Sequence, residues 1–310
     1  MNLLEKTASK AISHLYINVK KHYKIYRKML NAVTLYIKPL YNALDRKIMV
    51  NDREIPVRVF RPKKNSVSKV LIFFHGGGWV TGNIDSYTKI CTHMAEQTKH
   101  TVVSVDYRLA PENPFPAGLE DCYYATREFF LNRDLSNCNR EDITLIGDSA
   151  GATLVAAVSQ MARDNGEFLP CKQILLYPAT YGDYSENSPF PSVQENGYDY
   201  ILTSKRMREY MELYVRDKKD RYSPYVAPIL APDLSNQPKT LIITAEYDLL
   251  RDEGEAYGIK LKEFHNDTRI YQMKDALHGF LTLPWKSEAV VKCYKIINDF
   301  LGYKENSGEC

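Results

Sequence analysis

The sequence predicts an α/β fold, with one mostly parallel, eight-stranded sheet and helices on both faces. Three observations carry that prediction. Short strand-like runs such as the continuous apolar Val70–Phe74 and the Val-rich Thr101–Val105 recur along residues 70–300, as strands covered on both faces require. Helical stretches separate most of them, the rhythm of successive strand–helix–strand units. The third is Ile143–Thr153, I-T-L-I-G-D-S-A-G-A-T, where an apolar strand passes into a helix through Gly147-Asp148-Ser149-Ala150-Gly151.

The bulk properties suit such a fold. A chain of 310 residues, 44% hydrophobic and 25% charged, can bury one large core. A net charge of +3 gives no footprint for nucleic acid. No apolar run reaches the roughly 18 residues that a membrane span needs. Met1–Lys10 lacks the basic start and unbroken apolar stretch of a secretory leader, so a cytoplasmic location is expected. The cysteines at 91, 122, 138, 171, 293 and 310 form no C-x-x-C and fit free thiols better than a metal or redox motif. Neither an internal repeat nor a low-complexity tract is visible.

Residues 8–38 are expected to be a helix. Ile12, Tyr16, Val19, Tyr23, Tyr26, Leu30, Val33 and Ile37 step by fours and threes along one face, and Pro39 limits it. Residues 1–47 carry ten Lys/Arg against two acids, a balance of +8, which leaves −5 for the remainder. A basic amphipathic helix can lie on a membrane. A Tyr-rich stripe suits packing on the protein itself better, with Lys20, Lys21, Lys24, Arg27 and Lys28 mostly turned to solvent. Lys47–Val50 and Ile55–Phe60 then form a hairpin that opens the sheet. Val70–Phe74 is a strand that ends in His75-Gly76-Gly77-Gly78-Trp79. A helix over 86–98, the strand Thr101–Val105, a Pro-rich loop at Ala110–Pro116 and a helix over 117–131 follow. After the strand and helix around Ser149 comes the strand Ile174–Leu176, stopped by Pro178. Residues 179–222, rich in tyrosine and helical near Ser204–Val215, separate strands that should follow closely, so they form an insertion. Thr240–Thr244, a helix near 252–265, Thr268–Met273 and a helix near 286–300 complete the fold.

The candidate chemistry begins at Ser149. A serine on a sharp strand-to-helix turn stands at a helix N-terminus, where dipole and free N–H groups favour developing negative charge. Its hydroxyl needs a base to take the proton and a third group to orient that base. One known chain order is serine, acid, histidine, each after a core strand. Asp248 follows the strand Thr240–Thr244, among Tyr247, Leu249 and Leu250. Asp252 and Glu253 are rivals, but they begin the next helix, where carboxylates suit the dipole. His278, in Leu277-His278-Gly279, follows the next strand, whereas His93, His100 and His265 fall outside the order. An oxyanion needs N–H donors. Ala150 offers one, and the Gly76-Gly77-Gly78 run, which matches neither a dinucleotide nor a phosphate loop, offers others.

Together, H-G-G-G-W at 75–79, Y-R-L-A-P-E at 107–112, F-P-A at 115–117, G-D-S-A-G at 147–151, Y-D-L-L-R-D-E at 247–253 and H-G-F at 278–280 resemble the hormone-sensitive-lipase-like family of α/β-hydrolase carboxylesterases over roughly 47–302. The resemblance implies an α/β-hydrolase fold with a helical cap. Its core would be 46–178 and 223–303, its cap segments 1–45 and 179–222, and 304–310 a tail. It implies Ser149 as nucleophile, Asp248 as orienting acid, His278 as base and then acid, and Gly77, Gly78 and Ala150 as oxyanion donors. Tyr107, Arg108 and Glu112 would brace the site. Trp79 is placed equally between a substrate-pocket wall and plain core. Ala152 stands where the family commonly has another glycine, which bears on pocket shape rather than on the reaction.

The implied activity is hydrolysis of small, short-acyl carboxylic esters through an acyl-enzyme, with no cofactor or metal. The expected partner is a small ester; neither nucleic acid nor a membrane is expected, and a homodimer is left open. A deacetylase of acetylated sugars or natural products is an alternative within the same chemistry. A non-catalytic receptor and a membrane-surface lipase using the basic helix are alternatives of other kinds.

Overall fold

The computed structural model describes residues 18–32, 43–50, 53–64, 67–132, 135 and 138–302. Eight strands form a single sheet: β1 Ala43–Val50, β2 Arg53–Phe60, β3 Val70–Phe74, β4 Thr101–Val105, β5 Ile143–Asp148, β6 Lys172–Leu176, β7 Lys239–Tyr247 and β8 Thr268–Leu277. Their spatial order is β1-β2-β4-β3-β5-β6-β7-β8. β1 and β2 form the antiparallel entry, β2 runs antiparallel to β4, and every later pairing is parallel.

The unbroken apolar runs are explained by cover on both faces. Along β3, Val70, Ile72 and Phe74 enter one core while Leu71 and Phe73 enter the other, as the two-residue period of a strand demands. Helices α3 (Ala117–Leu131) and α4 (Ala150–Asn165) fill the first face. Helices α2 (Thr88–Thr98) and α8 (Glu288–Leu301) fill the second. Each fully buried Leu, Ile, Val or Phe contributes about 1.5–3 kcal/mol.

Several boundaries differ from the expectation. β1 starts at Ala43, inside the segment assigned to the cap: its ladder with β2 begins at Ala43 opposite Phe60, and Asp45 pairs with the buried Arg58, Oδ1 lying 2.5 Å from Nε. β7 and β8 continue past their apolar runs to Tyr247 and Leu277, through Glu246, Lys274 and Asp275 at the polar end of the sheet. A register shift between Ala245 and Tyr247 sets Tyr247 opposite Leu277. The residues that follow these two neighbours are Asp248 and His278.

Within the expected helix 8–38, α1 covers Val19–Ala32 and is kinked at His22; residues 8–17 and 33–38 lie outside the described residues. Val19 is buried, and Tyr23 and Tyr26 are partly buried against the core. Leu30, expected on the covered face, is 43% exposed. The insertion carries α5 (Pro191–Asn196), which the sequence did not reveal, and α6 (Ser204–Tyr214). α6 packs on α1. There the Val19 N–H donates to Glu209 Oε2 at 2.9 Å and Lys20 pairs with Glu212 at 2.7 Å. Helix α7 (Arg251–Glu263) lies between β7 and β8 in the chain.

Candidate active site

Ser149 is the residue between β5 and α4, with φ 52° and ψ −122°, a conformation that costs a non-glycine residue free energy. The surroundings hold it there. Its N–H donates to Leu176 O at 2.8 Å on the neighbouring strand. At Gly151 an added Cβ would overlap the Phe74 and His75 carbonyls, so only glycine lets α4 start this close to β3.

His278 stands within reach of both partners. Its Nδ1 lies 2.6 Å from Asp248 Oδ2 and its Nε2 lies 2.9 Å from Ser149 Oγ. Nδ1–H donates to the carboxylate, which leaves Nε2 to accept the serine proton. Asp248 is fully buried, and its Oδ1 accepts from the Leu250 N–H at 3.0 Å. The loop is fastened from behind by α5. Asn196 Nδ2 donates to Asp248 O at 3.2 Å, and Ser192 Oγ–H donates to Leu249 O at 2.8 Å. The rival Asp252 is turned away and accepts from the Ser192 N–H at 2.7 Å. Glu253 is buried under Thr180 and Tyr184. His265 follows the end of α7, and His93 stacks on Trp285, so neither enters this group.

The glycine run folds into a turn beside the serine. Gly77 and Gly78 have φ of 116° and 60°, and the Gly77 carbonyl accepts from the Val80 and Thr81 N–H groups at 3.2 and 2.9 Å. The N–H groups of Gly77 and Gly78 make no hydrogen bond within the described residues. Ala150 opens α4, so its N–H has no intrahelical acceptor. Three donors are thus unspent around the Ser149 turn.

Residues not singled out from the sequence tie the two turns together. Asp148 is buried; its Oδ1 accepts from Gly76 N–H at 2.8 Å and its Oδ2 from Tyr87 OH at 3.0 Å. Desolvation raises its carboxyl to about 6. His75 donates from Nδ1 to Gly76 O at 2.8 Å, stacks on Tyr107, and is lowered to about 4 by burial, so it stays neutral and structural. The G-D-S-A-G motif holds Asp148 in plain view; its partners Gly76 and Tyr87 are 72 and 61 residues away in sequence.

Of the three expected braces, Tyr107 OH donates to His75 O at 2.6 Å. Arg108 grips Asp121 at 2.8 Å. Glu112 instead receives Arg27 of α1 at 2.9 Å. Arg27, expected on the solvated face, also donates from Nε to Val80 O at 2.7 Å and from Nη2 to Ala110 O at 2.9 Å. Trp79 is buried and stacked on Tyr214 of α6, rings 4.6 Å apart and 5° from parallel. Among the described residues no three His, Cys, Asp or Glu side chains stand together as a metal site, and no helix is long and apolar enough to cross a membrane.

Comparison with known proteins places the chain among relatives. A family model described as alpha/beta hydrolase fold matches residues 71–282. An arylesterase of Saccharolobus solfataricus is 37% identical over 253 residues, covering 81% of each chain. The carboxylesterase NlhH of Mycobacterium tuberculosis is 35% identical, over 76% of this chain and 75% of that protein. Among solved structures, a hyperthermophilic esterase of the archaeon Pyrobaculum calidifontis superposes with a TM-score of 0.86 at 32% identity, over 97% of both chains.

Proposed function

The chain belongs to the alpha/beta hydrolase fold family, in its hormone-sensitive-lipase-like branch, and from that premise we propose a serine mechanism for it. It is a carboxylic ester hydrolase, as its named relatives are. Ser149 attacks the ester carbonyl while His278 Nε2 takes its proton, and Asp248 holds the ring and steadies the imidazolium. The N–H groups of Gly77, Gly78 and Ala150 receive the oxyanion. His278 then gives the proton to the departing alcohol. In the second half-reaction it draws a proton from water, and the acid leaves Ser149. The observation that carries this reading is the continuous path from Asp248 Oδ2 through His278 to Ser149 Oγ, 2.6 and 2.9 Å long, beside three unspent N–H donors.

Small esters with short acyl chains are the proposed substrates. In the same reading, residues 46–178 and 223–303, joined by the start of β1 at Ala43–Asp45, are the catalytic core, and the rest of 1–45 with 179–222 is the cap. The packing of α1 on α6, and of Tyr210 against Gly78, supports the cap. A cytoplasmic place is part of the proposal, and the free thiols of Cys91, Cys122, Cys138, Cys171 and Cys293 agree with it.

The test is a fluorophosphonate probe followed by peptide mapping, together with turnover of p-nitrophenyl esters of increasing acyl length. Label on Ser149 and a rate maximum at short chains are expected. Ser149→Ala should lose about four to six orders of magnitude in kcat. Near wild-type turnover in that variant would overturn the mechanism, and a maximum at long chains would overturn the substrate class.

A further inference from the structure

A cleft of about 850 Å³ opens beside Gly76 and Gly77, a volume in the range that holds a drug-sized ligand rather than an acetyl group alone. It runs out from the glycine turn between α1, α2 and the loop that follows His278. The lining is mostly apolar, with Leu30 from α1, Ile90 from α2, and Leu283 and Trp285 from the loop. It also includes two exposed amines, Lys89 of α2 and Lys286 of the loop. No Asp or Glu contributes to the described lining. Neither lysine has an ion pair with a described residue. The acids nearest in sequence do not supply one: Asp85 is held by Arg58 at 2.8 Å, and Glu288 begins α8 outside the lining.

Resting on the esterase reading, we propose that the substrate of this site is an amphipathic ester, with an apolar body lying along the cleft and a terminal carboxylate received by Lys89 and Lys286. An apolar cleft alone would take neutral esters of similar size equally well. Two unopposed ammonium groups in its lining make an anionic end the discriminating feature. Exposed lysines act in high dielectric, so each contributes modestly, and the preference should weaken as salt screens them.

The experiment compares kcat/KM for matched pairs on both sides of the ester bond. Mono-p-nitrophenyl adipate is set against its methyl ester for the acyl side, and 4-acetoxyphenylacetate against its methyl ester for the alcohol side. Within each pair only the distal charge changes, because the leaving group is the same or insulated from it. At low ionic strength the anionic member of at least one pair should be favoured about tenfold. In Lys89→Gln/Lys286→Gln the ratio for that pair should fall toward one. Preference for the neutral member in both pairs, or a ratio that survives the double substitution, would overturn the proposal. Hydrolysis of p-nitrophenyl acetate and labelling of Ser149 report the esterase reading separately. Their presence with no anionic preference ends the substrate proposal alone, and their absence in the unmodified protein ends both.

Discussion

The nucleophile turn and the α1–α6 cover both rest on the loop Gly76–Thr81, and they hold it in different ways. From the sheet side the hold is buried and dominated by backbone: Asp148 takes the Gly76 N–H, and Gly151 lets α4 press against the ends of β3. From the cover side α6 adds the buried Tyr210 and Tyr214 against Gly78 and Trp79, whereas the hold from α1 is a long side chain. Arg27 reaches across from α1 to Val80 O, Ala110 O and Glu112, with its guanidinium about a quarter exposed and Glu112 more so. Buried, directional contacts that cannot be remade leave a turn one geometry. Half-exposed ion pairs contribute little stability and permit adjustment. The part that would bind the transition state is therefore rigid, and the α1 part of the cover is softer. Each prediction below tests one side of that contrast.

The largest effect belongs to the buried side. Asp248→Asn keeps the shape of the side chain but removes the charge and the tautomer preference at His278, so kcat should fall by about 10⁴. Asp252→Asn, whose carboxylate accepts from Ser192 N–H behind the same loop, should cost far less, within about tenfold. The pair is measured by steady-state kinetics on one short-acyl ester. A larger loss in Asp252→Asn would move the orienting role away from Asp248.

The cover side should give a smaller and different response. Arg27→Ala removes two hydrogen bonds to backbone carbonyls and a bidentate pair. The freed Val80 carbonyl belongs to the turn that carries Gly77 and Gly78, so kcat/KM should drop by about tenfold while Ser149 still takes a fluorophosphonate label. Arg27→Lys should recover part of the loss at most, because an ammonium cannot span three acceptors as the planar fork does. If Arg27→Ala proved as damaging as Asp248→Asn, the cover would be part of the rigid machinery after all.

The same contrast explains what the sequence disclosed. The eight strands were legible because β3 to β7 are covered on both faces, and continuous apolar runs have few other uses in a chain of this composition. The turn at Ser149 was legible because its constraints are local, written in five adjacent residues. The order Ser149, Asp248, His278 along successive strand ends was legible too, and the structure brings those three side chains together. The ends of β7 and β8 were not, since Glu246, Lys274 and Asp275 lie in the irregular stretch between the Ala245–Met273 and Tyr247–Leu277 pairs and are not buried in an apolar core. Nor was Arg27. On a helical wheel it falls beside four lysines, and only its distant acceptors at Val80, Ala110 and Glu112 set it apart. Helix α5 escaped because its six residues are too few to show a period. Trp79 was ambiguous because a large aromatic after the glycine run suits a pocket wall or a core equally; its flat stack on Tyr214 makes it the joint between core and α6.

Glu253 sharpens the comparison, because there the inserted segment is fastened to the core by burial rather than by exposed ion pairs. Its Oε1 accepts from the Thr180 N–H at 2.6 Å and from Tyr184 OH at 3.3 Å, while Oε2 is buried without a hydrogen-bond partner. Desolvation is the main cause that raises this carboxyl from 4.5 to about 8. Between those values the folded protein holds a proton that the unfolded chain has released. The stabilisation is therefore complete below the ordinary glutamate range and is lost as pH rises through about 8. Glu253→Gln keeps an acceptor for Thr180 and Tyr184 and cannot ionise. Its melting temperature should match the unmodified protein near pH 5 and exceed it near pH 9, by about 4 °C for each 1–2 kcal/mol recovered. Thermal unfolding across that range, followed by near-ultraviolet circular dichroism, measures the difference. Parallel curves for the two proteins from pH 5 to 9 would show that Glu253 carries no proton in the fold, and that the insertion is held there by an ionised carboxylate.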